Sequence, residues 1–264
     1  MNFESHFNSY LKKTFLKSAY PTQKLLKKSL LYSLKAKASR FRPQLCFAST
    51  EALGQNPRKI LPWAIAIEMI HTGSLIHDDM PVMDDAKTRR AKLCNHHVFG
   101  EDIALLAGTC LFVESFSLLR YSVFDNKRKE ALDLLISKVG FQALMSGQAL
   151  DLKSKSLSKK NILKMMELKT GSLISACVLG PLLLWGKTKK EKQALTIFSK
   201  NLGIAYQLAD DFQDQERSKK WLVKEGTFCL NKSLKALKSL KSNTTKLEKL
   251  TISIQKKFLS PNSF

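Results

Sequence analysis

Apolar residues recur along nearly the whole chain at the three- and four-residue spacing of a single helix face. Between Phe3 and Ser18 they fall at Phe3, Phe7, Tyr10, Leu11, Phe15 and Leu16, which predicts an amphipathic first helix. Pro21 opens a second helix, because proline's fixed φ suits a first turn, and Pro43 stands near the start of a third. A long and almost wholly apolar helix is predicted over 61–79, entered through Pro57 to Pro62. Further helices are predicted over 103–122, 128–150, 158–185 and 191–214, with breaks at Asp125-Asn126, Lys153 to Ser158 and Gly186-Lys187. No stretch alternates apolar and polar residues between turn signals, as a half-buried strand would. The pattern predicts an all-α fold, a single domain over residues 1–264.

Composition narrows the class. With 264 residues, 44% of them apolar, the chain can bury a sizeable core. Its five cysteines contain no Cys-x-x-Cys pair, so neither a disulfide framework nor a zinc site is indicated, and reduced thiols in the cytoplasm are expected. Met1 to His6 lacks a basic stretch followed by an apolar core, so no secretory leader is expected. The longest apolar run, Leu173 to Trp185, is interrupted by Ser175, Gly180 and Pro181 and is too short to span a bilayer, which points to a soluble protein.

The net charge of +22 needs its own account. Lys232, Lys235, Lys238 and Lys241 recur every third position beside a stripe of Leu230, Leu234, Leu237 and Leu240, an amphipathic helix with a basic outer face. A solvated face is the simplest reading, and weak attraction to an anionic membrane the next. Nucleic acid is not expected, because the lysines lack interleaved aromatics.

Against this background two aspartate clusters stand out. Asp78, Asp79, Asp84 and Asp85 follow an apolar helix, and Asp210, Asp211 and Asp214 end another. Carboxylates among Ile, Leu and Phe are costly without a compensating positive charge. Asp210 and Asp211 share a helix face with Asp214, at spacings of four and three. Pro81 cannot sit quietly in a helix, so the segment from Met80 to Met83 should bulge and return Asp84 to the side of Asp78 and Asp79. Oxygen ligands so arranged suit Mg²⁺, which bridges carboxylates to a substrate's phosphates.

Around these clusters the sequence resembles the trans-polyprenyl diphosphate synthases, which make farnesyl and geranylgeranyl diphosphates. Arg40-Phe41-Arg42-Pro43, Glu68-Met69-Ile70-His71, Ser74 to Asp79, Arg89-Arg90, His96 to Glu101, Ser146 to Leu152, Lys169 to Leu173 and Gly203 to Gln207 appear in family order over about 36–214. The resemblance implies a helical barrel around a deep cavity, a homodimer, and Mg²⁺ held by Asp78, Asp79, Asp84, Asp210, Asp211 and Asp214 between the two clusters. It implies that isopentenyl diphosphate and an allylic diphosphate meet Arg40, Arg42, His71, Arg89, Arg90, Thr170 and Gln207, and that Lys169 joins the catalytic group. The allylic C–O bond would ionise and the cation would be attacked by isopentenyl diphosphate, with no side-chain nucleophile.

Some positions depart from the family pattern. Ser39 stands where the family has a lysine, with Lys37 two residues away. Arg-Arg-Gly-Lys-Pro becomes Arg89-Arg90-Ala91-Lys92-Leu93. The closing loop expected after Asp214 is short and altered from Gln215 to Asn231, with Lys219, Lys220 and Lys224 as substitutes, Lys224 for substrate. These departures leave room for a weakly active or non-catalytic partner subunit. A class I terpene cyclase fits less well, because Arg42 and His71 would have no use there. Gly73, with Ser74 beside it, stands where shorter-chain relatives carry an aromatic stop. An open floor there predicts the twenty-carbon geranylgeranyl product rather than farnesyl.

Overall fold

The computed structural model describes residues 3–14, 20–153, 157–214, 218–240 and 243–259. In chain order its first helices are α1 (Phe3–Thr14), α2 (Pro21–Leu34), α3 (Phe41–Ala52), α4 (Leu61–Asp78), α5 (Asn95–Phe99) and α6 (Glu101–Ser117). After them come α7 (Arg128–Val139), α8 (Leu144–Leu152), α9 (Lys159–Met166), α10 (Ser172–Trp185), α11 (Lys189–Gln213), α12 (Lys219–Lys238) and α13 (Thr245–Lys257). The all-α expectation holds. Contacts gather into two compact units, Met1–Pro43 with Pro62–Leu119, and Gln44–Leu61 with Arg120–Phe264.

In the first unit α4 is the core helix, with Trp63, Ala64, Ala66, Ile67, Met69 and Ile70 fully buried. The first-helix pattern shows in Phe7 and Tyr10 of α1, both buried, while Phe15 and Leu16 lie outside the described residues. Against the expectation of no sheet, β1 (Thr88–Arg89) and β2 (Lys92–Leu93) form a short antiparallel hairpin. Its two-residue turn, Arg90-Ala91, has φ of 54° and 58°, the doubly left-handed geometry that matches strand twist. Two-residue strands are too short to show a period-two pattern.

The second unit is built around α11. Its start is fixed by a capping box, Thr188 accepting from the Glu191 N–H at 3.1 Å while Glu191 accepts from the Thr188 N–H at 2.9 Å. The helix expected over 128–150 is two. Gly140 ends α7, its N–H donating to the Ile136 carbonyl at 2.8 Å, and α8 begins at Leu144. The helix expected over 158–185 runs through a π-helical turn, Glu167–Gly171, which periodicity does not reveal. Pro181 sits inside α10 without ending it.

The run after Asp214 is not the loop expected to Asn231. Residues 215–217 lie outside the described residues, and α12 starts at Lys219. Leu230 and Leu237 are buried, and Lys232, Lys235 and Lys238 are exposed, as the amphipathic reading requires; Lys241 lies outside the described residues. Two helical stretches, Glu101–Arg120 and Lys159–Trp185, are apolar and long enough to cross a membrane, although the sequence reading found none. In the fold the more apolar windows of these stretches are 44% and 67% buried.

Candidate active site

The first aspartate cluster is shaped by the end of α4. The Asp79 N–H still donates to the Leu75 carbonyl at 3.0 Å, and then Pro81 stops the helix. The chain then turns back: the Asp84 N–H donates to the Asp78 carbonyl at 2.9 Å, and the Ala86 N–H to the Asp79 carbonyl at 3.1 Å. Asp84 is thereby returned beside Asp78, as the sequence required. Asp79 is 3% exposed and takes Arg89 through Nε at 2.8 Å and Nη2 at 2.7 Å. Cys94 lies against it, and burial together with the Asp79 charge pushes that thiol up to about 12.

Beside this cluster is a concentration of positive charge. Arg42 Nη1 lies 3.1 Å from His71 Nε2. Burial, then Arg42, Arg90, Arg40 and Arg89, hold the His71 imidazole well below its ordinary pKa, so it is neutral at pH 7 and Arg42 donates to it. Arg90 is pushed down by burial and by Arg40, Arg42 and Arg89, with Glu68 opposing. A cation in that environment gains from any anion that enters. A shallow cleft is lined by Thr72, Leu75, Ile76, Asp79, Arg89 and Arg90, among others.

Arg40 does not join this group. Its Nε donates to Glu4 at 2.6 Å, Nη1 to Glu68 at 2.6 Å, and Nη2 to the carbonyls of Leu34 at 2.7 Å and Ala36 at 3.4 Å. With every nitrogen engaged and 7% exposure it is a structural arginine, and its expected place at substrate is withdrawn. Ser39 and Lys37 are both exposed.

In the second unit the π-helical turn carries Lys169 and Thr170. Lys169 Nζ meets Asp151 at 2.5 Å. The backbone approaches α8 so closely there that a Cβ on Gly147 would lie 2.2 Å from Lys169 N, which accounts for that glycine. Thr170 donates to Gln207 Oε1, and Gln207 Nε2 donates to Asp211 Oδ1 at 2.7 Å. Thr170 and Gln207, expected at substrate, are thus spent on orienting a carboxylate. Asp210 takes Lys257 of α13 at 2.8 Å, and that ammonium also lies over Tyr206, 4.6 Å from the ring centroid. Asp214 is exposed at the end of α11, its N–H donating to the Asp210 carbonyl at 3.0 Å. Lys224 is exposed on α12, on a helix rather than in a closing loop.

Gly73 gives another correction. A Cβ there would lie 2.9 Å from the Gly108 carbonyl and 3.3 Å from Leu111 and Phe112, so the residue faces α6 and not an open floor. Ser74, beside it, donates to the His71 carbonyl at 2.9 Å. The sequence reading missed Asp151, Glu68 and Lys257 as site residues. The first two lie within the motifs it used, and nothing near Lys257 in the sequence marks it.

The aspartates fit Mg²⁺ by chemistry. All are hard oxygen donors, and Asp79 and Asp210 already hold cations, in Arg89 and Lys257, where a dication would go. Among the described residues no three His, Cys, Asp or Glu side chains form a ready cage. Mg²⁺ needs none, since one or two carboxylates with water and phosphate suffice.

The sequence pattern of the polyprenyl synthetase family matches residues 23–260, on both sides of the 36–214 stretch that carries the motifs. The chain belongs to the polyprenyl synthetase family. This polyprenyl synthetase is 39% identical over 205 residues to a farnesyl diphosphate synthase of Bacillus subtilis (strain 168), covering 75% of this chain and 69% of that one. It is likewise 39% identical over 193 residues to a geranylgeranyl diphosphate synthase of Cyanophora paradoxa, covering 70% and 64%. In structure it resembles a geranyltransferase from Legionella pneumophila, with a TM-score of 0.88 and 25% identity over 97% of this chain and 95% of that one.

Proposed function

We propose that this polyprenyl synthetase condenses isopentenyl diphosphate with an allylic diphosphate in the presence of Mg²⁺, giving a product of fifteen or twenty carbons. The observation that carries the reading is the neutral His71 held by Arg42 beside the under-neutralised Arg90, a built anion site next to the first aspartates. Arg42 and Arg90 would bind the diphosphate that does not ionise, with His71 as a neutral partner. Asp78, Asp79 and Asp84, and likewise Asp210, Asp211 and Asp214, would serve as ligands for Mg²⁺. Bound Mg²⁺ supplies charge that stabilises the departing diphosphate. Thr170 and Gln207 keep Asp211 aimed, and Lys169, braced by Asp151, adds positive charge. With Gly73 packed on α6, the choice between farnesyl and geranylgeranyl product rests on no residue described above. Incubating purified protein with Mg²⁺, an allylic diphosphate and labelled isopentenyl diphosphate tests the reading. Labelled prenyl diphosphate is expected, and no incorporation would overturn it in favour of a non-catalytic subunit.

The protein is proposed to act as one domain, since the family match spans both units, and as a homodimer in the cytoplasm. Leu105, Leu106 and Val113 make an apolar face on α6, with Leu105 and Leu106 about half exposed and Val113 at 64%, which a second copy would cover. All five cysteines are free thiols, in keeping with a reducing compartment. The basic helices α12 and α13 are proposed to touch anionic membrane weakly, through exposed lysines flanking the exposed Phe228 and Ile252.

A further inference from the structure

One buried carboxylate is shared unequally by two arginines. Glu68, 1% exposed, accepts from Arg40 Nη1 at 2.6 Å, whereas Arg90 Nη2 stands 3.8 Å from the same oxygen. Arg40 is held there from every side: Glu4 of α1 binds its Nε, the carbonyls of Leu34 and Ala36 bind its Nη2, and its guanidinium lies over the Phe7 ring at 5.4 Å. Its backbone is left-handed as well, with φ 51°, a conformation that the tertiary contacts must maintain. The near oxygen of Glu68 is thus spent on an arginine with no room for substrate, and Arg90 is left partly compensated.

We propose that Glu4, Arg40 and Glu68 are positioning residues, a relay that holds Glu68 off Arg90 and so keeps the Arg90 guanidinium available to a diphosphate. The inference rests on the reading that Arg90 binds substrate. If Arg40 is loosened, Glu68 becomes a buried carboxylate short of a partner, which is strongly unfavourable. Closing the gap to Arg90 relieves it, and Glu68 then competes with the incoming diphosphate for the same donors. The N-terminal helix would in this way set substrate affinity without touching substrate.

The test reads binding and turnover separately on the intact protein, with inorganic diphosphate as the calorimetric probe and isopentenyl diphosphate in steady-state assays. Glu4→Gln changes a half-exposed side chain and should preserve the fold. It should weaken diphosphate binding and raise KM about threefold, with kcat within about twofold. Arg40→Met should weaken binding about tenfold, and adding Glu68→Gln to it should restore most of the loss, because the competing charge is gone. A structural defect alone would be worsened by the second substitution. If Arg90→Ala weakens binding, yet Glu4→Gln leaves KM unchanged or the double variant binds no better than Arg40→Met, the relay is overturned and the substrate reading survives. If Arg90→Ala binds diphosphate as tightly as the unaltered protein, the substrate reading fails and the relay fails with it.

Discussion

At the scale of single residues, the site works by committing each charge to one task. Arg89 is committed to Asp79, Lys257 to Asp210 and Lys169 to Asp151, so these aspartates are compensated by cations of the chain itself. Asp210→Ala should therefore abolish condensation without unfolding the protein. A loss of ~10³ or more in kcat is expected, on the scale of other electrostatic stabilisers, with an unchanged circular dichroism spectrum. His71 makes stability depend on pH. Unfolded, it titrates near 6.5, and in the fold its pKa lies well below that. Between the two values only the unfolded chain takes up the proton, so the His71 contribution is complete above about 6.5 and is lost as pH falls toward the folded value. Denaturant midpoints should fall between pH 7 and pH 5, and His71→Asn should flatten that slope; an equal slope in both proteins would remove His71 as its source.

Among the elements, the β1–β2 turn and the π-helical turn carry testable strain. Ala91 sits at φ 58°, where a Cβ is unfavourable. Ala91→Gly should raise stability by about 1 kcal/mol, the approximate cost of a non-glycine residue in that region, less glycine's greater entropy when unfolded, read as a higher denaturation midpoint. Gly203 is the opposite case. A Cβ there would lie 2.5 Å from Gly171 Cα, backbone against backbone, so Gly203→Ala must push α11 away from the π-helical turn. A loss of about 2 kcal/mol is expected, with a fall in kcat because Gln207 and Asp211 move with the helix. These same elements show what sequence can disclose. The long helices and the Asp78–Asp84 return were legible because apolar period and a proline are local signals. The commitment of Arg40 was not, since its partners Glu4 and Glu68 are distant in sequence, and neither were the π-helical turn and the split at Gly140, which leave the apolar period unbroken.

For the whole molecule, the surplus of positive charge divides into a small functional part and a large superficial one. Arg42 and Arg90 form the proposed anion site, while most lysines of α12 and α13 are exposed to solvent. If those lysines meet membrane, sedimentation with phosphatidylglycerol vesicles should exceed that with phosphatidylcholine vesicles. Lys232→Glu with Lys235→Glu should abolish the excess while leaving turnover intact. Equal sedimentation with both lipids would leave these helices a solvated face. The family was legible from ordered motifs, yet the roles of Arg40, Thr170, Gln207 and Gly73 were not. A motif records which residue types recur, and these residues turn out to face protein.

The crossing of α4 and α6 bears on how such a protein could be redesigned. A methyl on Gly73 would meet the Gly108 carbonyl at 2.9 Å, and one on Gly108 would meet His77 Nε2 at 2.2 Å. The first clash is with backbone, which cannot turn aside, whereas the His77 ring could swing away from the second, so a mutant library aimed at Gly73 to retune product length would consist mostly of destabilised clones. Diversity in product size would have to be sought at other wall positions, and selection acting on this chain would meet the same barrier.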